Sequence, residues 1–470
     1  MKTKIKYTLL TLIVSLCASC SFLDVEERGK SDTDTFFAEM EGLRTAMVGT
    51  YRVTYDFYDQ YICKFAEVAG DALQASAISG GSDEMSYPYN FLSTPDLETT
   101  AVGYIWKKGY AIITNVNTIL NYSQKLKSAF PHNAAEIEQV EANAYFLRAL
   151  SHFEMVCCYA QPYAFTPDAS HPGIPVITRL IGTNESIARS SVSAVYTQII
   201  HDLENAAATL GDEAPTDAHY LSGMACNALL ARVYLYMGNY QQAKTYADKV
   251  LPKLTLTSRA NYEAMFTQEE LGAEAIFRLS GFSAGSSLRK FYYYESPVFL
   301  PTDEFCALFA ANDVRLKLLK DGTGAKACMK YCDLKSTVAD NRYYNLTVLR
   351  GSEIYLIRAE ALCKLNKLDL AADDLKVLEA RALGVDKSAI SLSYYTQEDL
   401  MKIIERIRTK ELCFEGHRFF DIARWGHDVV RAANTNSSMK RLKYPDYRFA
   451  LPIPLVEMDV NDAMTQNDGY

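Results

Sequence analysis

Two stretches of the chain repeat one plan. Residues 228–243 read Ala-Leu-Leu-Ala-Arg-Val-Tyr-Leu-Tyr-Met-Gly-Asn-Tyr-Gln-Gln-Ala, a helix, a tight turn and the start of a second helix. Glu353 to Leu378 follows the same order, with Asn366-Lys367 at the turn. Ala231 and Ala243 stand 12 residues apart, and so do Ala359 and Ala371. Tyr240-x-x-Ala243 matches Leu368-x-x-Ala371 where the second helix begins. In the second copy Leu368, Ala371, Leu375, Leu378 and Ala382 fall on one helical face. Small residues at a shared offset let paired helices approach closely, so the chain must contain helical hairpins. Two hairpins cannot bury their faces on each other alone, so more are required. They are expected at 106–128 with 139–160, and at 397–425.

This geometry is tetratricopeptide-like (TPR-like), and it predicts an all-α scaffold of helix pairs. Phe146, Ala149, Phe153 and Val156 extend the pattern, giving a long amphipathic helix from Glu141 to Tyr159. Gln161-Pro162 ends it, and loop text follows through His171-Pro172-Gly173-Ile174-Pro175. A further helix is expected over Val192–Leu210, stopped by Gly211. Between Leu254 and Leu349 the periodicity fails. Gly281 and Gly285, the run Phe291-Tyr292-Tyr293-Tyr294 and short apolar stretches such as Ala275–Leu279 predict a loop-rich insertion with a few short strands. Loops on a rigid frame are where binding residues concentrate. The expected organisation is a leader at 1–19, an acidic tether at 20–35, helix pairs over 36–253, the insertion over 254–350 and a last helical part over 351–470.

The leader is read from its flanks. Lys2, Lys4 and Lys6 precede a short apolar run from Leu9 to Leu16, and Ala18 and Ser19 supply small residues before Cys20. That is a secretory signal, and the run is too short for a membrane span of about 20 residues. Small residues before a cysteine resemble a bacterial lipobox, so Cys20 is the expected lipid attachment site and Cys17 is discarded. The spacing Cys17-x-x-Cys20 is then not a redox pair, which would need a strand before it and a helix after it. The formal net charge of −9 becomes −12 when the three leader lysines leave. An acidic chain without a basic run is not built to bind nucleic acid. Of 11 cysteines, 9 remain after Cys17 and Cys20. An odd number spread through helical text reads as buried thiols rather than a disulfide framework. No cofactor or metal set is read from the sequence.

The richest chemical text is Arg408-Thr409-Lys410-Glu411-Leu412-Cys413-Phe414-Glu415-Gly416-His417-Arg418-Phe419-Phe420-Asp421. Glu411 and Glu415 share a helix face, as a pair of glycosidase carboxylates would across a cleft. Arg408 and Arg418 lie close in sequence, so structural ion pairs are the simpler reading. Cys413 and His417 lack an orienting third group for a nucleophilic dyad. Gly322-Thr323-Gly324-Ala325-Lys326 lacks the spacing and the hydroxyl residue of a phosphate loop. No reaction centre is read from these residues.

That same text, as Arg408-x-x-Glu411-Leu412-x-x-Glu415-Gly416-x-Arg418-x-x-Asp421-x-x-Arg424-Trp425, resembles the signature of the SusD/RagB family of outer-membrane lipoproteins. Other segments agree in order. They are Ser21-Phe22-Leu23-Asp24 after the lipobox, Gly42-Leu43 with Thr50-Tyr51, and Trp106-x-x-Gly109-Tyr110. Glu141-Ala142 with Leu147-Arg148-Ala149, Glu353-x-Tyr355-Leu356 and Leu451-Pro452-Ile453-Pro454 with Gln466-Asn467-x-Gly469-Tyr470 follow. The resemblance covers essentially the whole chain. It implies a lipid-anchored, surface-exposed protein that captures a nutrient glycan and caps a SusC-like TonB-dependent barrel. It also implies that the protein is not an enzyme and that the motif around Glu411 and Arg418 is structural.

With 32 Tyr against 2 Trp, and both Trp106 and Trp425 inside framework motifs, Tyr must carry any stacking on sugar rings. The candidates are Tyr87, Tyr89 and Phe91 in the Gly80-Gly81-Ser82-Asp83 loop region, and Tyr292, Tyr293 and Tyr294 in the insertion. Asp71 lies near the region that contributes polar ligand contacts in the family. The scarcity of Trp also keeps a peptide ligand open, as in the RagB branch. A TPR scaffold and a surface hydrolase are the remaining alternatives.

Overall fold

The computed structural model describes residues 33–77, 84–266, 272–281, 286–293, 296–321, 326–331 and 345–470. The leader, Cys20, Cys332, Tyr294 and the tether up to residue 32 lie outside the described residues. Helices dominate: α1 (Met40–Phe57), α2 (Cys63–Val68), α3 (Ala101–Ala129), α4 (Ala134–Tyr159), α5 (Val192–Leu210), α6 (Gly223–Tyr236) and α7 (Tyr240–Val250) precede the insertion. After it come α8 (Gly351–Lys364), α9 (Leu368–Leu383), α10 (Gln397–Glu411) and α11 (Arg418–Arg424).

Each long helix packs on the next: α1 on α3, α3 on α4, and so on through α7, α8 and α9. Helices α7 and α8 touch although residues 251–350 separate them, so the insertion leaves and rejoins one continuous stack. Ala231, Ala243, Ala359 and Ala371 are all wholly buried, as expected of the small residues that bring α6 to α7 and α8 to α9. The ends follow local rules. Ser191 and Ser222 accept backbone hydrogen bonds at the starts of α5 and α6, and Gly211 at φ +65° ends α5. The expected pair at 106–128 and 139–160 is present as α3 and α4, both longer than the periodicity alone showed.

The pair expected at 397–425 is not a hairpin. Helix α10 packs on α8 and α9, whereas α11 turns away onto α2. The break is at Phe414 and Gly416, both with positive φ (67° and 88°). A side chain at Gly416 would also meet the Cys63 backbone at 3.0 Å, so this turn requires glycine.

The strands are short and antiparallel. β1 (Leu73–Ala75) pairs with β3 (Phe299–Pro301), and β2 (Ala275–Leu279) with β6 (Leu346–Arg350). β4 (Leu319–Asp321) pairs with β5 (Lys326–Cys328), and β7 (Val429–Val430) with β8 (Arg441–Leu442). The β2–β6 pair joins the two ends of the insertion beside the start of α8. One hydrophobic cluster extends from Phe37 to Met464, and another fills the space between α8, α9 and α10.

Candidate binding face

The β1–β3 ladder sets Gln74 opposite Leu300, so the segment after Asp71 and the insertion become neighbours. Their aromatic residues then meet. Tyr89 packs edge-on against Phe299 at 5.1 Å, Phe299 stacks on Phe291 at 5.3 Å, and Phe291 meets Tyr292 at 5.0 Å. Tyr292 continues the chain to Tyr331 at 5.8 Å and Phe414 at 5.6 Å. Such offset and edge-on contacts add to the area these rings bury. Two runs that read as separate platforms in the sequence form one buried aromatic seam.

The candidates among the described residues differ in where they lie. Tyr89 and Tyr292 retain 1% and 0% of their exposure; their rings are walls of the seam and offer no face to an incoming sugar. Tyr89 Oη donates to Asn436 Oδ1 at 3.0 Å. Tyr87 remains 38% exposed and Tyr293 is partly buried. Asp71 is partly buried and engaged: Arg418 donates to both its oxygens, at 2.6 and 2.8 Å. Both tryptophans serve packing, with Trp106 Nε1 donating to Glu457 and Trp425 Nε1 to Glu360.

Tyr87 is presented by a rigid foot. The short helix Ser86–Asn90 closes through Phe91 at φ +53°, and the Leu92 amide donates to Tyr87 O at 2.9 Å. Tyr87 and the 59% exposed Leu92 thus share one tip. Asn90 Oδ1 accepts from the Ser438 amide at 2.8 Å. Below, the Arg431 guanidinium lies 4.5 Å from the Tyr89 ring centre and 4.9 Å from that of Phe91. It donates to the carbonyls of Val68, Ala69 and Gly70, which end α2, and to those of Tyr89 and Met439. Arg431 and Asn436 carry no motif in the sequence. A lone arginine in loop text gives no signal of the carbonyls it gathers.

The signature text around Glu411 is a buried lattice of charge. Glu411 accepts from Arg350 at 2.9 Å, Arg381 at 2.6 Å, Arg315 at 3.3 Å and Tyr262 at 3.1 Å. Glu415 accepts from Arg350 at 2.7 and 2.8 Å and from Lys330 at 2.5 Å. Glu274 binds Arg350 and Arg381, and Glu379 binds Arg315 and Lys410. Burial works to raise the Glu411 carboxyl, but Arg381, Arg350 and Arg315 outweigh it and hold the group well below its ordinary value. The ion-pair reading holds, with different partners. Arg408 binds Asp421 at 2.7 Å and Arg418 binds Asp71, and the cations on Glu411 and Glu415 come from elsewhere in the chain. Burial pushes the Cys413 thiol up to about 12. Burial, with Arg232 and Arg408 nearby, pushes His417 well below its ordinary value. Both groups are therefore neutral at pH 7, unlike an ion-pair dyad. Glu67 Oε1 accepts from the Gly416 and His417 amides at 2.9 and 3.0 Å, holding the turn.

A helical-repeat stack carrying a loop-built face is the class this fold defines. The chain belongs to the SusD/RagB family. Residues 323–470 match the SusD family, and residues 21–235 match a family described as starch-binding associating with outer membrane. The chain is 25% identical to SusD-like protein P2 of Formosa agariphila, over 99% of this chain and all of that protein. It is 21% identical to SusD-like protein P25 of the same organism, over 97% of each. A SusD superfamily protein of Bacteroides thetaiotaomicron superposes with a TM-score of 0.81 at 25% identity, covering 91% of this chain and 99% of that one.

Proposed function

We propose that this protein is a cell-surface lipoprotein, anchored through Cys20, that binds oligosaccharide and passes it to a SusC-like TonB-dependent barrel as the lid of that complex. It performs no chemistry on the glycan. Family membership at both ends of the chain supports the glycan and outer-membrane parts of this reading. The observation that carries the non-enzymatic part is the state of the signature carboxylates. Glu411 and Glu415 are buried and saturated by Arg350, Arg381, Arg315 and Lys330, so they brace the frame instead of flanking a sugar. Tyr87, fixed on the foot of Arg431 and Asn90, is the aromatic residue offered for stacking, with Tyr293 at the margin of the seam. Asp71 acts through Arg418, orienting the start of the same segment.

Titration of the full chain with a panel of malto-, laminari-, xylo- and manno-oligosaccharides and with mixed peptides tests this. Saccharide binding without any product of cleavage is the expected result, weakened in Tyr87→Ala. Binding confined to the peptides would transfer the chain to the peptide-importing branch, and released sugar would end the non-enzymatic reading. Co-purification with a SusC-like barrel, lost in Cys20→Ala only when membranes are required, tests the partner and the anchor separately.

A further inference from the structure

A cleft of about 250 Å³ lies elsewhere, between the loop after α4 and the last 30 residues of the chain, and shares no residue with the Tyr87 face. Its walls are the rings of Phe165 and Tyr447, with Pro172 and Pro445, and its rim carries Asp446 and Asp468. Phe165 and Tyr447 are 42% and 39% exposed.

The cleft is held open by groups already engaged with each other. Gln161 Nε2 donates to Asp446 O at 2.9 Å. The His171 ring is fixed by Gln161 O at 3.0 Å and Thr166 Oγ1 at 2.9 Å, and it packs edge-on against Phe165 at 5.2 Å. Asn467 donates to Tyr159 O and Leu451 O and accepts from Arg189. Tyr447 rests on Gly469, at φ +91°, where any side chain would come within 2.4 Å of the ring. The two aromatic walls therefore keep their spacing without a ligand, which lowers the cost of binding one.

The lining brings two aromatic residues and two carboxylate residues together with Gln161, His171, Gln466 and Asn467. Arg448 donates to both oxygens of Asp446, at 2.8 and 2.9 Å, and its hydrogen bonds hold that carboxyl below its ordinary value. Arg448 also lies 5.3 Å from the Tyr447 ring centre. Arg448 thus already supplies the counter-charge to Asp446, so that carboxylate calls for no cationic ligand. A neutral ligand remains, with a C–H face for the rings and hydroxyl donors for carboxylate oxygens, and that is the chemistry of a pyranose. The volume falls below the range of about 300–1,000 Å³ typical of drug-sized ligands, so it suits one residue of a longer chain.

We propose that this cleft is a second saccharide subsite, taking one sugar residue between Phe165 and Tyr447 with its hydroxyls on Asp446 and Asp468. The proposal rests on the glycan-binding reading above. Its test is titration of wild type, Phe165→Ala, Phe165→Trp, Asp468→Asn and Tyr87→Ala with the four oligosaccharide series. For the series that binds wild type, Phe165→Ala is expected to weaken binding about five- to tenfold, Asp468→Asn less, and Phe165→Trp to restore it. All four variants should melt like wild type, since each side chain is exposed. If Phe165→Ala and Asp468→Asn bind as wild type while Tyr87→Ala is weakened, the second subsite is refuted and the glycan reading stands. If no saccharide binds wild type, both fall.

Discussion

Two clamps fix the insertion to the helical frame, and they are made of opposite materials. One is ionic: Glu274, Arg315, Lys330 and Arg350 of the insertion interlock with Glu379, Arg381, Lys410 and Glu411 of the helices and with Glu415 of the turn after α10. The other is aromatic: Phe291, Tyr292 and Phe299 pack between Tyr89 and Phe414. A charge lattice tolerates no missing member, because each loss leaves a partner charged and buried. A ring seam weakens in proportion to the volume removed. The ionic clamp therefore fixes register, and the aromatic clamp holds the loops close beneath the exposed tip at Tyr87.

The largest effect is expected from Arg350→Ala, which strips Glu274, Glu411 and Glu415 of a shared partner. It should cost about 3–5 kcal/mol in urea unfolding, and Arg350→Lys should recover little of it because Lys cannot reproduce the forked geometry. A small loss for either would remove the distinction between the clamps. Phe299→Ala should cost about 3 kcal/mol, but Phe299→Leu only about 1 kcal/mol. That graded response is the signature expected of the seam.

Acid separates the clamps a second way. Burial favours protonation of Glu411, Glu415 and Glu274, but their arginine and lysine partners hold all three below the ordinary value of 4.5. A depressed carboxyl contributes stability in full above its unfolded value and loses it as pH falls through the folded one. Melting temperature should thus decline below about pH 4.5, and the decline should be shallower in Glu411→Gln, whatever its starting height. Burial raises Glu67 and Glu154 instead. They oppose this trend in both proteins, so the difference in slope is the measurement. The smallest stability effect belongs to Tyr87→Ala, less than about 0.5 kcal/mol, although it should weaken saccharide binding.

How much of this was legible depended on sequence distance. Helix α5 was read to its last residue, because Val192, Gly211 and the periodicity between them are local. The paired alanines located α6 with α7 and α8 with α9 for the same reason. The partners of Glu411 were not legible. Arg350, Arg381 and Arg315 lie 61, 30 and 96 residues away, and nearby Arg408 and Arg418 belong to other carboxylates. The binding face failed similarly. Tyr87 and Tyr89 look equivalent in the text, but only Tyr89 meets Phe299, through a β1–β3 ladder that no local pattern announces. Tyr292 and Tyr293 are adjacent, and the end of one short helix turn sends the first inward.

The foot under Tyr87 also sets an order of events. Asp71 obtains its counter-charge from Arg418, and the end of α2 obtains its donor from Arg431. A chain that emerges amino end first has made the face long before it has made these supports. Residues 68–71 and Tyr89 must therefore wait, with open carbonyls and an uncompensated carboxylate, until nearly all of the protein has been delivered. Maturation of the recognition surface is a late step, gated by the final tenth or so of the polypeptide.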